Sequence, residues 1–500
     1  MSRRMGFILS FITAAMAMLI GFSLPAAAQS GRTFYIDYVG GSNANPGTEA
    51  SPWKTHPYMQ TGASCTGTGS APSYSHQAGD QFIFKGGVTW PAACFQLSIS
   101  NGGSSNAVRD YYGADIAWYT GGSFTRPVFD MANTTPTGNS FIKIRADNIT
   151  FDNLELKRMK ILSGVGECSD ANFDMFQVSN ITVQKSYIHD WTITSDAANS
   201  TTHGTGSICQ NRSPLGNIIA LNDELSDAAT TNPVPFGACF RNLSEVANSE
   251  CHDTAEGIVG HGAIHDSEFY NINGTAQAAL DPLLHTNVIE ASAISTGDGP
   301  IYNNFIHDTN AGVTIFDCNQ ANIYNNVMWN NANFAIMLDS NCPGATSGTV
   351  ANIYNNTVDC SATTACFRVM ARSNGTPSVL NLQNNYWIAN GNPVCYNAPG
   401  NGCGGVAGGN QANNITASAS TAASQGYTAS NRYQPMSAAS ATVKAALNLS
   451  GLCSGALSSL CSDILHGSRL SPWDVGAYQF GTQSPSAKPN APSNLAATVQ

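Results

Sequence analysis

The chain has 500 residues, 42% of them hydrophobic and only 11% charged, with a formal net charge of −11; an average globular protein is about 25% charged. That balance excludes a disordered solvating chain, a coiled coil and a basic nucleic-acid binder. A chain with 47 glycines and much Asn, Ser and Thr can bury a large core and still present neutral polar groups, a surface that suits sugars better than phosphates.

Arg3 and Arg4 precede an apolar run from Met5 to Leu24, and Ala26-Ala27-Ala28 offers a small-residue cleavage site. Residues 1–28 are therefore expected to be a signal peptide, which places the mature protein outside the cytoplasm, secreted or periplasmic. Gly21, Ser23 and Pro25 interrupt the run, and no later stretch is long and apolar enough to suggest a membrane span.

Short apolar alternations broken by Asn and Gly then recur down the chain. They begin at Phe151-Asp152-Asn153-Leu154-Glu155-Leu156 and Val183-Gln184-Lys185-Ser186-Tyr187-Ile188-His189-Asp190. The segment 191–240, with His203, Cys209, Asp223, Glu224 and Pro233-Val234-Pro235, is too long for a plain turn and is expected to fold over one face as a loop or lid. The pattern resumes at Val246-Ala247-Asn248-Ser249-Glu250-Cys251-His252-Asp253 and Ile264-His265-Asp266-Ser267-Glu268-Phe269. It is clearest in Ile301-Tyr302-Asn303-Asn304-Phe305-Ile306-His307-Asp308, Ile323-Tyr324-Asn325-Asn326-Val327-Met328-Trp329-Asn330, Ile353-Tyr354-Asn355-Asn356-Thr357-Val358-Asp359 and Leu382-Gln383-Asn384-Asn385-Tyr386-Trp387-Ile388. From Ile301 onward the copies begin 22, 30 and 29 residues apart, whereas Val246 to Ile264 is only 18, which calls one of those two registers into question.

Such a period, carried by short strands with Asn or Gly at each corner, predicts a solenoid with one strand-turn-strand rung per copy. A helical solenoid would need amphipathic runs of ten or more residues, and these are absent from the repeats. Asn tolerates the left-handed backbone of a tight corner and can exchange amide hydrogen bonds with the Asn of the next coil. Asn304, Asn326, Asn356 and Asn385 are expected to form that ladder. Fourteen cysteines without a C-x-x-C pair point to disulfides rather than zinc, with sequential neighbours as the simplest pairing.

These rungs resemble those of the right-handed parallel β-helix proteins, the fold of pectate lyases, related polysaccharide lyases, polygalacturonases and phage tailspikes. Phe34 to Asn43 with Pro52-Trp53-Lys54-Thr55 resembles the opening strand and cap of exported members, and Pro472 to Tyr478 resembles their closing strand. The resemblance implies an all-β, right-handed parallel β-helix over residues 29–480, stapled by disulfides on its loops. Residues 481–500 read as a linker or tail, rich in Pro and Ser.

In such a solenoid, residues at matching repeat positions stand in columns. Residues 250–340 concentrate His252, Asp253, Glu256, His261, His285, Glu290, His307, Asp308 and Asp317 in a chain with ten histidines, and the site is expected there. The competing reading of His-Asp at a fixed repeat position is a turn solution in which Asp caps backbone amides. Lys185, at an outward repeat position, is a further candidate base. Two chemistries can be written for a polysaccharide partner. In elimination from a uronate, the resemblance implies calcium as the neutralising cation, which Glu290, Asp317 and Asp253 would hold, and His261 or His285 would have to be the base; no Arg or Lys stands near these carboxylates in sequence apart from Arg368 and Arg372 further along, so the family's usual Lys or Arg base is not recovered. In glycoside hydrolysis two carboxyl groups act together, with Asp253 and Glu256 ahead of Gly260-His261-Gly262, a triplet similar to one in polygalacturonases. His252, His307, Arg368 and Trp329 are expected to contact substrate. The alternative is a non-catalytic glycan-binding, adhesive or structural solenoid whose Tyr302, Tyr324, Tyr354, Trp329 and Trp387 stack on sugars.

Overall fold

The computed structural model describes residues 31–481 apart from 162–167, 169, 194–205, 212–214, 228–236, 276–285, 292–298, 311, 319, 340–349, 364, 371–378, 399–401 and 405–409. The expected signal peptide, the tail beyond Gly481 and His285 lie outside the described residues. No helix among those described is long and apolar enough to cross a membrane.

Each coil carries three short strands, and apart from one antiparallel pairing near the end every described strand pairs in parallel with its counterpart one coil away. The result is a right-handed parallel β-helix. Ile301–Tyr302, Phe305–Thr309 and Ile315–Cys318 show the unit; each pairs forward with Asn322–Tyr324, Val327–Asn331 and Ile336–Asp339. We call the faces so defined the first, second and third. The first and third merge where Ala238–Ala247 and Glu256–His265 run through a corner unbroken, using the left-handed Asn242 and Gly260. Inward residues such as Ile301, Ile306, Ile315, Met328, Val358 and Trp387 fill one continuous core.

The paired corner residues divide their labour. The first of each pair, from Asn153 and Lys185 through Asn303, Asn325, Asn355, Asn384 and Asn413, is left-handed, with φ between 52° and 59°. The second points along the axis: Asn304, Asn326, Asn356 and Asn385 each pass a side-chain amide hydrogen bond to the next, the last to Asn414, at 2.9–3.0 Å. Upstream the ladder continues in other residue types, because the Ser186 amide donates to Asp223 Oδ1 (2.8 Å), the Asp223 amide to Ser249 Oγ and the Ser249 amide to Ser267 Oγ (each 3.1 Å).

Three expectations are corrected. The 18-residue interval is a true coil, since Val246 pairs with Ile264 in register. The segment 191–240 is not a single lid: Gly206–Asn211, Ile218–Leu221 and Glu224–Ser226 supply a strand to each face. Pro472 to Tyr478 forms no strand; it bends across the corner between the first and second faces, where the Gly476 amide donates to the Asn384 carbonyl (2.7 Å) and the Ala477 amide to Thr357 Oγ1 (3.0 Å).

The opening cap does form, with Thr33–Ile36 pairing to Gln81–Phe84 and buried Trp53 stacked on Phe34 at 4.4 Å. Five disulfides join sequential cysteines: Cys65–Cys94, Cys168–Cys209, Cys239–Cys251, Cys360–Cys366 and Cys453–Cys461. Cys318 and Cys395 are also disulfide-bonded. Such staples fit folding in an oxidising compartment.

Candidate functional site

On the second face the register carries Ser226, His252, Tyr270, His307 and Trp329 into one outward column. The rings stack nearly parallel, His252 on Tyr270 at 4.6 Å, Tyr270 on His307 at 5.5 Å and His307 on Trp329 at 4.1 Å. Beside each imidazole the next residue turns left-handed and offers a carboxylate: His189 Nδ1 meets Asp190 at 2.9 Å, His252 meets Asp253 at 2.6 Å and His307 meets Asp308 at 2.7 Å. Their Nε2 atoms face Glu155, Glu224 and Glu268 at 3.4, 3.5 and 3.1 Å. His265 repeats the arrangement on the first face with Asp266 and Glu245. Four copies on different coils make this a corner solution built into the fold. Burial alone would lower the imidazole pKa of His189, His252 and His265, but the paired carboxylates outweigh it and raise all three.

The His307 copy differs in its surroundings. A cavity of about 570 Å³ opens beside it, lined by Asp308, Trp329, Asn330, Asn331, Asp359, Ser361, Ala362, Ala429, Ser430 and Tyr433. Its walls come from two sources. The coil corners supply residues 308–362, and the C-terminal segment that follows the last coil supplies Ala429, Ser430 and Tyr433. That segment is held by Arg432, which pairs with Glu268 at 2.8 Å and lies over the Phe305 ring at 4.4 Å. Glu268 also faces His307, so one carboxylate ties the segment to the imidazole that holds Asp308.

Within the cavity Asp308 accepts from Asn330 Nδ2 (2.5 Å) as well as facing His307. Burial would raise its pKa, but these two partners lower it, so Asp308 is ionised at neutral pH. Asp359 accepts the Tyr433 hydroxyl at 2.6 Å and the Ser361 amide at 3.0 Å. Asn331 is 4% exposed; its Oδ1 accepts from Thr309 Oγ1 at 2.9 Å, and its Nδ2 has no hydrogen-bond partner among the described residues.

The expected site residues divide between faces. His252, Asp253, His307 and Trp329 share the second face and its corner, where Asp253 also accepts from Asn271. Glu256 and His261 are buried along Glu256–His265, with His261 Nδ1 facing the Gly262 carbonyl at 2.8 Å. Glu290 and Arg368 stand in one outward column of the third face, which runs Arg241, Val259, Glu290, Phe316, Met337, Arg368. Asp317 lies one residue off that column and is fully buried, its Oδ1 accepting the Cys318 amide at 2.7 Å. Among the described residues no three His, Cys, Asp or Glu side chains are gathered to hold a metal ion. Asp253 stands on the second face and buried Asp317 lies off the Glu290 column, so these three carboxylates are not gathered at one point. Lys185 is a left-handed corner residue, 3.9 Å from Asp152.

The aromatics expected to meet sugars are mostly inside. Trp387 belongs to the coil core, and Tyr324 and Tyr354 are covered by Leu449, Leu460 and Trp473. Tyr302 is half-buried and stacks on Tyr324 at 4.9 Å. Trp329 is 6% exposed, yet its remaining surface lines the cavity. Asp359, Asn331 and Ser361 were missed as site residues. Asp359 closes the third repeat motif at the position Trp329 holds in the second, and that shared position was the available signal. Nothing local marks Tyr433, which reaches the cavity only by tertiary folding.

No family model matches the chain, and no curated protein does. Among solved structures it is similar to pectate lyase Pel9A, at 12% identity over 91% of this chain and 98% of that one (TM-score 0.40). It is similar to the GH136 lacto-N-biosidase from Eubacterium ramulus, at 12% identity over 77% of this chain and 68% of that one (TM-score 0.41). A rhamnogalacturonan lyase also aligns, at 12% identity over 92% of this chain and 98% of that one (TM-score 0.34). These likenesses concern the coiled fold and assign no chemistry.

Proposed function

We propose that this protein is exported and cleaves a polysaccharide by glycoside hydrolysis in the cavity between the coil corners and the C-terminal segment. One observation carries the reading: the cavity combines two carboxyl groups, Asp308 and Asp359, with an indole edge, amides and hydroxyls. Asp308 follows His307, which pairs with Trp329, and Asp359 ends the second-face strand one coil beyond, so the two carboxyl-bearing residues lie two coils apart. Two strand spacings are about 9–10 Å along the axis, close to the upper end of the roughly 6.5–9.5 Å between the carboxyl groups of an inverting pair and well beyond the roughly 5 Å of a retaining one.

In this mechanism ionised Asp308 is the base and takes a proton from water as its oxygen bonds to the anomeric carbon. Asp359 is the carboxyl group placed to act as the acid, giving a proton to the departing glycosidic oxygen as that bond breaks. Tyr433 and the Ser361 amide orient Asp359, and His307 orients Asp308. The partner is thus a polysaccharide, with no role for nucleic acid.

The test is to incubate the mature chain with acidic and neutral polysaccharides, with calcium and with chelator, following new reducing ends and the ultraviolet absorbance of unsaturated uronates. Reducing ends without absorbance are expected, unaffected by chelator. Asp308→Asn and Asp359→Asn are each expected to lower kcat at least about 100-fold while leaving the thermal transition in place. Absorbance would replace hydrolysis by elimination; retention of a glycan without any product would replace it by a binding or structural solenoid.

A further inference from the structure

We infer that the cavity is a subsite for an uncharged, hydroxyl-rich sugar residue, and that Asn331 is its buried recognition donor. The inference deepens the proposed function and rests on the cavity being where substrate binds. Among the described lining residues there are two carboxyl groups, two side-chain amides, two serines, a phenol and an indole, and no Lys, Arg or His. A uronate or sulfated sugar placed here would set its anion against ionised Asp308 with no cation in the lining to offset it, inside a molecule of net charge −11. The guanidinium of Arg432, next to the lining residue Tyr433, is spent on Glu268. A neutral sugar meets the opposite situation, because carboxylates, amides and hydroxyls accept from and donate to ring hydroxyls in any combination.

Asn331 is the second, independent observation. A buried amide donor without a partner is costly and calls for an explanation. Thr309 fixes this amide through Oδ1, and Asn331, whose Nδ2 is buried without a hydrogen-bond partner among the described residues, is one of the residues lining the cavity. A sugar hydroxyl at the inner wall supplies the acceptor that Nδ2 lacks. The adjacent Trp329 indole offers apolar surface to the C–H groups of a pyranose.

The inference is tested by calorimetry on the full mature chain with gluco-, xylo-, manno- and galacto-hexasaccharides and with hexagalacturonate, at low and high salt. At least one neutral hexasaccharide is expected to bind with an affinity that salt leaves unchanged, and hexagalacturonate to bind at least tenfold more weakly. Asn331→Asp keeps the Thr309 acceptor and removes the donor; it is expected to lower neutral-sugar affinity about 10-fold or more. Should that variant fail to fold, the wild-type comparison of neutral and anionic ligands still decides. Preferential binding of hexagalacturonate, unchanged affinity in Asn331→Asp, or binding of none of the neutral sugars would overturn the inference. Neutral-sugar binding without cleavage would sink the hydrolytic reading alone. Cleavage of hexagalacturonate that requires Asp308 and Asp359 would sink this inference alone.

Discussion

Asp223 shows how one residue type carries a cost through the ladder. It stands where later coils place Asn, accepts the Ser186 and Leu221 amides, and is fully buried, so desolvation raises its carboxyl pKa to about 8 against those hydrogen bonds. A raised folded pKa contributes stability that is complete below about 4 and lost as pH climbs through 8. His252 has the same sign for a different reason, since its partners Glu224 and Asp253 raise its imidazole above 6.5 and that contribution also fades with rising pH. Stability is therefore expected to fall between pH 5 and pH 8. Asp223→Asn should flatten that fall, by on the order of 2 kcal/mol at pH 8, in urea melts run at both pH values. An unchanged slope would show that Asp223 does not bind its proton differently in the folded state.

At the scale of the strand and corner, two amide ladders of the same chemistry differ in burial. Asn326 is inside: its amide donates to Asn356 Oδ1 and to the Ile301 and Tyr324 carbonyls, and its Oδ1 accepts the Asn304 backbone and side-chain amides. Asn352 sits on the outer side of the first face, joined to Asn322 and Asn381 at 2.9 and 2.8 Å and half open to water. Water replaces the lost partners only at the outer ladder. Asn326→Ala is thus expected to cost about 3 kcal/mol or more, and Asn352→Ala less than about 1 kcal/mol, as midpoints of denaturant unfolding. Equal costs would mean that the inner ladder follows the fold instead of holding it. These corners were readable from the paired Asn residues; the continuation through Ser186, Asp223, Ser249 and Ser267 was not, because different side chains meet the same backbone demand.

For the molecule as a whole, the C-terminal segment does more than end the solenoid. Arg469 is buried and binds Asn325 Oδ1 at 2.9 Å and the Gly476 and Ala477 carbonyls at 3.0 Å each, pinning residues 462–478 to corners made more than a hundred residues earlier. Burial lowers its pKa only to about 10, so it stays charged at neutral pH. Arg469→Ala leaves those acceptors unpaired and is expected to cost about 3 kcal/mol, read as a lower melting temperature. Because the same segment carries Tyr433, the variant should also weaken cleavage in the cavity before the coils themselves unfold. Coincident loss of both at one temperature would show that segment and coils form one cooperative unit.

The sequence by itself determined the repeat, the all-β solenoid and the Asn ladder, because each is a local demand met within one coil or between neighbouring coils; the disulfide connectivity, for which sequential pairing was only the simplest choice, was left to the structure. The His-Asp pairs were equally legible, with their turn-forming role set by adjacency. What only the tertiary structure decided was which copy matters: four imidazoles carry the same carboxylate partners, and His307 alone among them adjoins the described cavity, because Arg432 and Tyr433 fold back on its coil. The separation of Glu256, His261, Glu290 and Asp317 from the His252 column was hidden for the same reason. Side chains close in sequence leave a coil on different faces, and a one-residue shift in register turns a candidate ligand such as Asp317 from the surface into the core.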